Sequence, residues 1–384
     1  MSLCFHRGSD SCFGGTLNKQ SFCFLSLKTQ FENAGDALIV RELLRLCSRY
    51  SNVYVDTSRC PAEFVRSVGI DRYAPEVKQV GNLDFLLRLI SRRLLGHTVY
   101  FFLPPGGCVG EKSGLQFVKF FLTSLLIAVM NVLGIRVCQV GVSYERLGAS
   151  HARMLSFRSH RMYRNMVRDT ASSTYGKGLG IRIHGTSPDL AFSASSYCRT
   201  SNEHGNRIAF SFRVDRGEWR PECFENLVCQ LDRALDVGFT FRFVAQVARD
   251  VPFMRRLAAQ QYSRGRIIEY VESFSDVDLT LAAHTDNLCI VSNRLHALLC
   301  GVIQGVTPIP LADEVMGRKV FGFFQTLKQP TFSLVNLEGT VCAILAAARS
   351  GTDGVGNRDL AVVQERILQK IFSGIFQRTT EVVS

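Results

Sequence analysis

Residues 290–298 join a buried apolar run to the start of a helix, and they carry an arginine and a histidine two positions apart. Arg294 offers a planar fork for a carboxylate or a phosphate, and His296 can give or take a proton near neutral pH. The helix start adds free N–H groups and a positive dipole end. Each residue alone has an ordinary explanation, as a solvated arginine or a core histidine. Together they predict a site for a small, multiply charged anion, with Leu295 pointing into the core.

Two glycine-containing turns follow predicted strands in the first half of the chain. Asn33, Gly35 and Asp36 stand between the first strand and its helix, where glycine lets the backbone approach a ligand closely. Asp36 lies at or near the helix N-cap, and capping alone would explain it without a ligand. Gly106 and Gly107 end another strand, where they let a substrate lie on the backbone or simply form the turn.

Two further cations follow apolar runs. Arg168 ends a short run and precedes Asp169, so it either faces a cleft or forms a surface ion pair of little energetic worth. Lys319 follows the predicted strand 306–311, and it either reaches the cleft as a point charge for phosphate or is a solvated loop lysine.

Apolar strands alternate with amphipathic helices, which predicts an α/β protein with parallel sheets covered on both faces. The polar segment 193–206 places a domain boundary between two such stretches. Ligands of open α/β sheets bind at the carboxyl ends of the strands, so the cleft between two domains is the expected site. The predicted organisation is a loose leader over 1–19, an N-terminal Rossmann-like domain over 20–195, a C-terminal Rossmann-like domain with the Arg-x-His pair over 205–330, and C-terminal helices over 331–384.

The chain carries a net charge of +12, with scattered basic residues and no motif for nucleic-acid binding. An acidic small molecule, an acidic polymer or an anionic membrane is therefore the expected partner, and nucleic acid is not. The 13 cysteines form no CxxC pair, so no metal site is predicted. Buried thiols and a start without the apolar core of a signal peptide indicate a cytoplasmic protein.

The longest apolar run, residues 120–133, is too short to span a bilayer as a helix. The favoured interpretation is a buried helix of an α/β domain. The alternative is a surface that touches a membrane, which the basic charge supports and which would place the protein at the inner face of the membrane.

Four features stand in order along the chain: Asn33-x-Gly35-Asp36; Gly106-Gly107; Val167-Arg168-Asp169 with Pro188-Asp189-Leu190-Ala191-Phe192; and Arg294-Leu295-His296-Ala297 followed by Gly305-Val306-x-Pro308 and Lys319. In combination, these features resemble the polysaccharide pyruvyl transferase family. The turn over 104–107 has Pro105 where the family commonly has a third glycine, and Ser292-Asn293 replaces the more usual Gly-Met before the arginine. The resemblance spans residues 20–325.

The resemblance implies a GT-B-like fold, in which two Rossmann-like, doubly wound domains face each other across a cleft. It implies phosphoenolpyruvate as donor substrate, without a cofactor, and a pyruvate ketal formed on a sugar or lipid-linked oligosaccharide of a bacterial exopolysaccharide, capsular or cell-wall polymer. Arg168, Arg294 and His296 would bind or activate the donor. The remaining substrate-binding candidates are Asn33, Gly35, Gly106, Gly107, Leu295 and Lys319.

The implied reaction needs a general acid, for which His296 is the candidate, and a base for the sugar hydroxyl, for which Asp36 and Asp189 are candidates. A GT-B glycosyltransferase with a nucleotide sugar would share the fold, the charge and the cleft. It would need a carboxylate in the C-terminal domain, such as Glu269 or Glu272, to hold the nucleotide. A non-catalytic polysaccharide-assembly protein would keep the fold without needing Arg294 and His296.

Overall fold

The computed structural model describes residues 21–110, 114–197, 205–215, 219–350 and 354–377. The leader predicted over 1–19 lies outside these ranges. Within them the chain forms two α/β units with parallel sheets, which confirms the predicted pair of Rossmann-like domains.

The N-terminal domain is built on an eight-stranded sheet in the order β3-β2-β1-β4-β6-β7-β8, with β5 paired to the second half of β6. The strands are β1 (Ser21–Ser26), β2 (Asn52–Asp56), β3 (Val77–Val80), β4 (Thr98–Phe102), β5 (Gly106–Val109), β6 (Arg136–Glu145), β7 (Arg164–Val167) and β8 (Gly185–Thr186). The helices are α1 (Ala34–Ser48), α2 (Ala62–Val68), α3 (Asn82–Leu94), α4 (Gly114–Val132), α5 (Ala149–Ser159) and α6 (Thr170–Gly178).

The C-terminal domain repeats the design with five parallel strands in the order β11-β10-β9-β12-β13. The strands are β9 (Arg207–Ser211), β10 (Thr240–Ala245), β11 (Ile267–Glu272), β12 (Cys289–Ser292) and β13 (Thr307–Pro310). The helices are α7 (Pro221–Ala234), α8 (Val251–Tyr262), α9 (Val277–Ala283), α10 (Leu295–Ile303), α11 (Arg318–Thr326), α12 (Leu337–Ser350) and α13 (Gly354–Gln377).

Alternate residues of the central strands contribute to two separate cores. In β1, Phe22 and Phe24 belong to the core beneath α3 and α4, whereas Cys23 and Leu25 belong to the core beneath α1. Successive side chains of a strand point to opposite faces, so a strand covered on both faces must be apolar throughout. This requirement explains the continuous apolar runs that made the strands recognisable.

The two terminal helices pack on different domains. Ile344 of α12 lies in the core of the C-terminal domain, whereas α13 crosses back to the N-terminal domain. There, Phe372 stacks on Phe102 with ring centroids 5.9 Å apart. Of the helices predicted over 331–384, α12 therefore packs on the C-terminal domain and α13 packs on the N-terminal domain.

The interpretation of residues 120–133 as part of a buried helix is wrong, because α4 is largely exposed. Its buried side chains are those of Ser124, Ile127 and Met130, and leucines such as Leu122 and Leu126 are 55% and 44% exposed. Among the described residues, α4 is the one helix whose length and composition would let it cross a membrane.

Candidate active site in the interdomain cleft

A cleft of about 500 Å³ lies between the carboxyl ends of the two sheets. In the first sheet, the strand order reverses direction between the neighbouring strands β1 and β4. In the second sheet, it reverses between β9 and β12. Open α/β sheets bind ligands at such switch points. The segments that follow these four strands all line the cleft, which brings Asn33, Gly106, Arg213 and Arg294 to one place.

Most of the residues singled out from the sequence line this cleft. They are Asn33, Asp36, Gly106, Gly107, Arg294, Leu295, His296 and Lys319. The other three, Gly35, Arg168 and Asp189, do not line it, and all three lie behind His296.

Behind His296, a buried ion pair holds a carboxylate close to the imidazole. The Arg168 Nη1 donates to Asp189 Oδ2 at 2.7 Å, and both side chains are buried. The same oxygen lies 3.7 Å from His296 Nε2. Burial alone would raise the pKa of Asp189, but His296 and the Arg168 guanidinium hold it well below its usual range. Asp189 is thus an anion that belongs to the N-terminal domain and faces a histidine of the C-terminal domain.

Gly35 is required by the close approach of His296. A Cβ atom added at Gly35 would lie 2.7 Å from the Cβ and 2.8 Å from the Cγ of His296. The contact sits at the domain boundary, where Ala34 N donates to Gln246 O at 3.2 Å. The start of α1 therefore abuts α10 so tightly that only a residue without a side chain fits.

We expect Gly35→Ala to push His296 away from its place in the cleft. Overpacking of this kind costs about 1–3 kcal/mol of stability. Displacement of His296, the predicted general acid, is expected to lower kcat by about tenfold or more. Thermal unfolding and turnover measured on the same preparation check this. Gly178→Ala, in α6, is the control because an added Cβ meets nothing within 4 Å there, and it should leave both quantities near wild type. Equal behaviour of the two variants would contradict the close contact.

The turn at the start of α1 is capped by Asn33 rather than by Asp36. Asn33 Oδ1 accepts from Gly35 N at 3.0 Å and from Asp36 N at 3.4 Å. Asp36 instead lies in the first helical turn and accepts a 2.7 Å bond from Thr29 Oγ1. The capping role considered for Asp36 is therefore wrong, and its carboxylate lines the cleft.

Arg294 stands at the N-cap of α10, where its backbone N–H donates to Ser292 Oγ at 2.9 Å. Its guanidinium forms an ion pair with Asp250 beside the cleft, and both side chains are largely buried. Burial lowers the pKa of Arg294 and raises that of Asp250, against the opposing effect of each partner's charge. Arginine stays protonated in proteins regardless, so the cleft keeps this cation.

Two arginines that were not predicted from the sequence complete the cationic wall. Arg213 and Arg249 line the cleft and share the carboxylate of Asp215, Arg213 at 2.5 Å and Arg249 at 2.9 Å. Asn293 holds the backbone of Arg213 by accepting from its N–H at 2.7 Å and donating to its C=O at 2.8 Å. Both arginines follow ends of parallel strands, the same signal that identified Arg294.

The wall of the cleft carries more positive than negative charge. Its lining cations are Lys28, Arg213, Arg249, Arg294 and Lys319, and its lining carboxylates are Asp36 and Glu145. Asp215 and Asp250 balance part of the arginine charge from behind. Such a wall suits a ligand with more than one negative group, because arginine forks bind carboxylate and phosphate through paired hydrogen bonds.

Glu145 lies where a second cavity adjoins the cleft. This cavity, of about 430 Å³, shares Glu145 and Lys319 with the cleft and is also lined by Tyr144 and Tyr175. Glu145 was not predicted as a site residue, because nothing in the local sequence marks the last residue of β6 as facing a cavity. The second cavity is also lined by Arg146 and Arg318, so positive charge continues from the cleft into the cavity that holds the two tyrosines.

The carboxylates considered for nucleotide binding lie elsewhere. Glu269 and Glu272 belong to β11, the edge strand of the second sheet, and do not line the cleft. Glu269 pairs with Arg207 at 3.0 Å and Arg242 at 2.6 Å, and Glu272 pairs with Arg255. Among the described residues, no carboxylate of the C-terminal domain lines the cleft.

Comparison with known proteins shows the fold. No protein-family model and no curated protein matches the sequence. Among solved structures, UDP-GlcNAc 2-epimerase from Neisseria meningitidis, bound to UDP-GlcNAc, is 10% identical with a TM-score of 0.57, over 94% of this chain and 100% of that one. UGT2 from Phytolacca americana, with UDP-2fluoro-glucose and pterostilbene, is 10% identical with a TM-score of 0.52, over 92% and 99%.

O-GlcNAc transferase from Thermobaculum terrenum is a third similar structure, 15% identical with a TM-score of 0.51, over 93% of this chain and 66% of that one. At these identities the likeness concerns architecture. The predicted GT-B-like arrangement of two Rossmann-like domains is thereby confirmed.

Proposed function

We propose that the cleft binds phosphoenolpyruvate and transfers its pyruvyl group to a sugar of a bacterial surface polymer. The observation that carries this proposal is the convergence of Arg213, Arg249, Arg294 and Lys319 on His296 in one cleft. Phosphoenolpyruvate carries a carboxylate and a phosphate, so several cations are needed to hold it. A proton donor beside them supplies the first chemical step.

The reaction begins with transfer of a proton from His296 to the methylene carbon of the donor. The carbon that bears the phosphate then becomes electron-poor, and a sugar hydroxyl attacks it and gives up its proton to a base. The bond from this carbon to the phosphate oxygen breaks, phosphate leaves, and a second hydroxyl closes the ketal and releases a second proton. Arg294 and its neighbours would stabilise the leaving phosphate, where each such contact is typically worth about 3–4 kcal/mol.

Asp189 and Arg168 are positioning residues in this scheme. The Asp189 carboxylate stabilises the positive charge that His296 carries before it donates its proton, and Arg168 keeps Asp189 ionised. Because neither side chain lines the cleft, we assign them to the histidine rather than to the donor. Direct contact of Arg168 with the donor, which the family resemblance implies, is not part of this proposal.

The base for the sugar hydroxyl is Asp36 or Glu145. Both carboxylates line the cleft on the N-terminal side, opposite the cationic wall of the C-terminal domain. Glu145 also borders the second cavity, whose aromatic lining suits the apolar face of a sugar ring. Asp189 is a weaker candidate, because its charge is already shared with Arg168.

Sugar transfer from a nucleotide sugar is the second candidate function. Fold similarity supports it more than it supports pyruvyl transfer, since the similar structures include proteins with bound UDP-GlcNAc and UDP-2fluoro-glucose. The absence of a carboxylate on the described C-terminal lining of the cleft speaks against it, because the ribose hydroxyls would lack their usual acceptor. A site for a smaller anion agrees better with these residues.

Thermal unfolding in the presence of ligands separates the two functions. A ligand at about 100 times its Kd stabilises the folded protein by roughly 2.7 kcal/mol. We expect phosphoenolpyruvate to raise the Tm and UDP to leave it unchanged. A rise with UDP and none with phosphoenolpyruvate would replace pyruvyl transfer by sugar transfer.

A further inference from the structure

The helices α3 and α4 both carry exposed apolar side chains on the outside of the N-terminal domain, and these side chains together are termed the α3/α4 face. Both lie on the same side of the sheet, since Phe85 and Leu89 of α3 share a core with Ile127 and Met130 of α4. The outward side chains are apolar as well. Those at least 40% exposed are Leu83, Leu87, Ile90 and Leu94 on α3, and Leu115, Val118, Phe121, Leu122, Leu125, Leu126, Val129 and Val132 on α4.

This face is unusual for a protein surface in water. A helix that is apolar all round is normally buried in a core or in a membrane, and contiguous apolar patches on soluble proteins mark interaction sites. The leucines on α3 and α4 differ from the isolated exposed side chains Val237 and Val335, which are ordinary. We therefore expect the α3/α4 face to bind a partner or a membrane that removes it from water.

Positive charge is distributed over the same face. The two helices carry Arg88, Arg92, Arg93 and Lys119 against one carboxylate, Asp84. Arg92 lies over the Phe22 ring at 4.5 Å, and Arg93 Nε donates to Leu133 O at 2.8 Å, which ties the end of α3 to the end of α4. Arg88 pairs with Asp84 at 2.8 Å, and the side chain of Lys119 is exposed. Lipid headgroups with negative charge match this combination.

We propose that the α3/α4 face docks the protein on the surface of an anionic lipid bilayer. The helix α4 lies along the bilayer rather than across it, because the strands on either side of it, β5 and β6, pair with each other in one sheet. Ile127 and Met130 keep α4 on the sheet while its leucines enter the headgroup region. Gly107, which precedes α4, lines the cleft, so docking brings the cleft near the membrane, where a lipid-linked acceptor would be found.

Vesicle co-sedimentation of the full chain tests the inference without donor or acceptor, and its outcome is therefore independent of the proposed reaction. We expect binding to vesicles of phosphatidylcholine with phosphatidylglycerol, weaker binding to phosphatidylcholine alone, and loss of binding with added salt. The variant Leu122→Glu/Leu126→Glu should lower the partition coefficient by about tenfold or more. Since both side chains are exposed, its circular dichroism and Tm should match wild type.

The matched control is Val237→Glu/Val335→Glu, which places the same charges at exposed apolar sites outside the α3/α4 face and should bind vesicles as wild type does. Failure of the wild type to bind anionic vesicles would overturn the inference, as would undiminished binding by the α4 variant. Analytical ultracentrifugation adds one further outcome. A stable wild-type dimer that the α4 variant converts to monomer, without vesicle binding, would assign the face to a second copy of the chain.

Discussion

Replacing His296 by glutamine is expected to lower kcat by about 10²–10⁴, the usual contribution of a general acid. Glutamine keeps the size and a hydrogen-bonding group but cannot deliver a proton near neutral pH. Because the role proposed for His296 lies in the chemical step, KM for phosphoenolpyruvate should change far less than kcat. Steady-state kinetics of phosphate release check this split. The same variant also tests the scaffold alternative, because a non-catalytic assembly protein with glutamine at this position would still complement a deletion strain.

Asp189→Asn provides the matched comparison for that variant. Asp189 contacts the cleft only through His296. The effect of Asp189→Asn on kcat should therefore disappear when His296 is already replaced by glutamine. The double variant is then expected to turn over as slowly as His296→Gln alone, a coupling that a double-mutant cycle measures. Additive losses would show that Asp189 acts by another route. Folding must be checked in parallel, since Asp189→Asn leaves the buried Arg168 without its counter-ion and costs about 3–5 kcal/mol.

Arg294→Ala is expected to lower kcat/KM for phosphoenolpyruvate by about 10²–10³, through loss of a cation at the carboxylate or the leaving phosphate. It should also abolish the Tm increase caused by this ligand. The substitution leaves Asp250, which is 1% exposed, as a buried carboxylate without its partner. Breaking a buried pair from one side costs about 3–5 kcal/mol, so lost activity alone would not identify a binding role.

Two further variants separate binding from stability. Arg294→Ala/Asp250→Ala removes both charges, and it should recover much of the lost stability without recovering donor binding. Arg294→Lys keeps a charge opposite Asp250 but lacks the planar fork, so it should restore stability more than affinity. If the double alanine variant bound phosphoenolpyruvate as wild type does, Arg294 would have no part in the site.

The elements that carry the site were recognisable from local patterns. Strands buried on both faces read as apolar runs, and each ends in a short turn before a helix, which placed Arg294, His296 and Gly106 at strand ends. The same rule applies to Arg213, which was missed because Phe212 and Val214 flank it and no helix begins directly after it. A local sequence pattern predicts that a residue follows a strand. It does not predict that the ends of β1, β4, β9 and β12 meet at one cleft.

Non-local contacts account for the rest. Arg168, Asp189 and His296 come together only because the domain boundary brings α10 of one domain against the segment after β8 of the other. The strand β11 was missed because it is a half-exposed edge strand with Glu269 and Glu272 interrupting its apolar residues. The exposure of α4 was predicted wrongly, since an apolar composition alone does not reveal which neighbours a helix has.

The most direct test of the account is a single assay of the purified protein with two donors. Phosphoenolpyruvate or a UDP-sugar is offered together with a hexose-containing acceptor, and release of inorganic phosphate and of UDP is measured for wild type and His296→Gln. We predict acceptor-dependent phosphate release from phosphoenolpyruvate by wild type, release slower by about 10²–10⁴ with the variant, and no UDP release. Release of UDP from a nucleotide sugar, with phosphoenolpyruvate left intact, would contradict it.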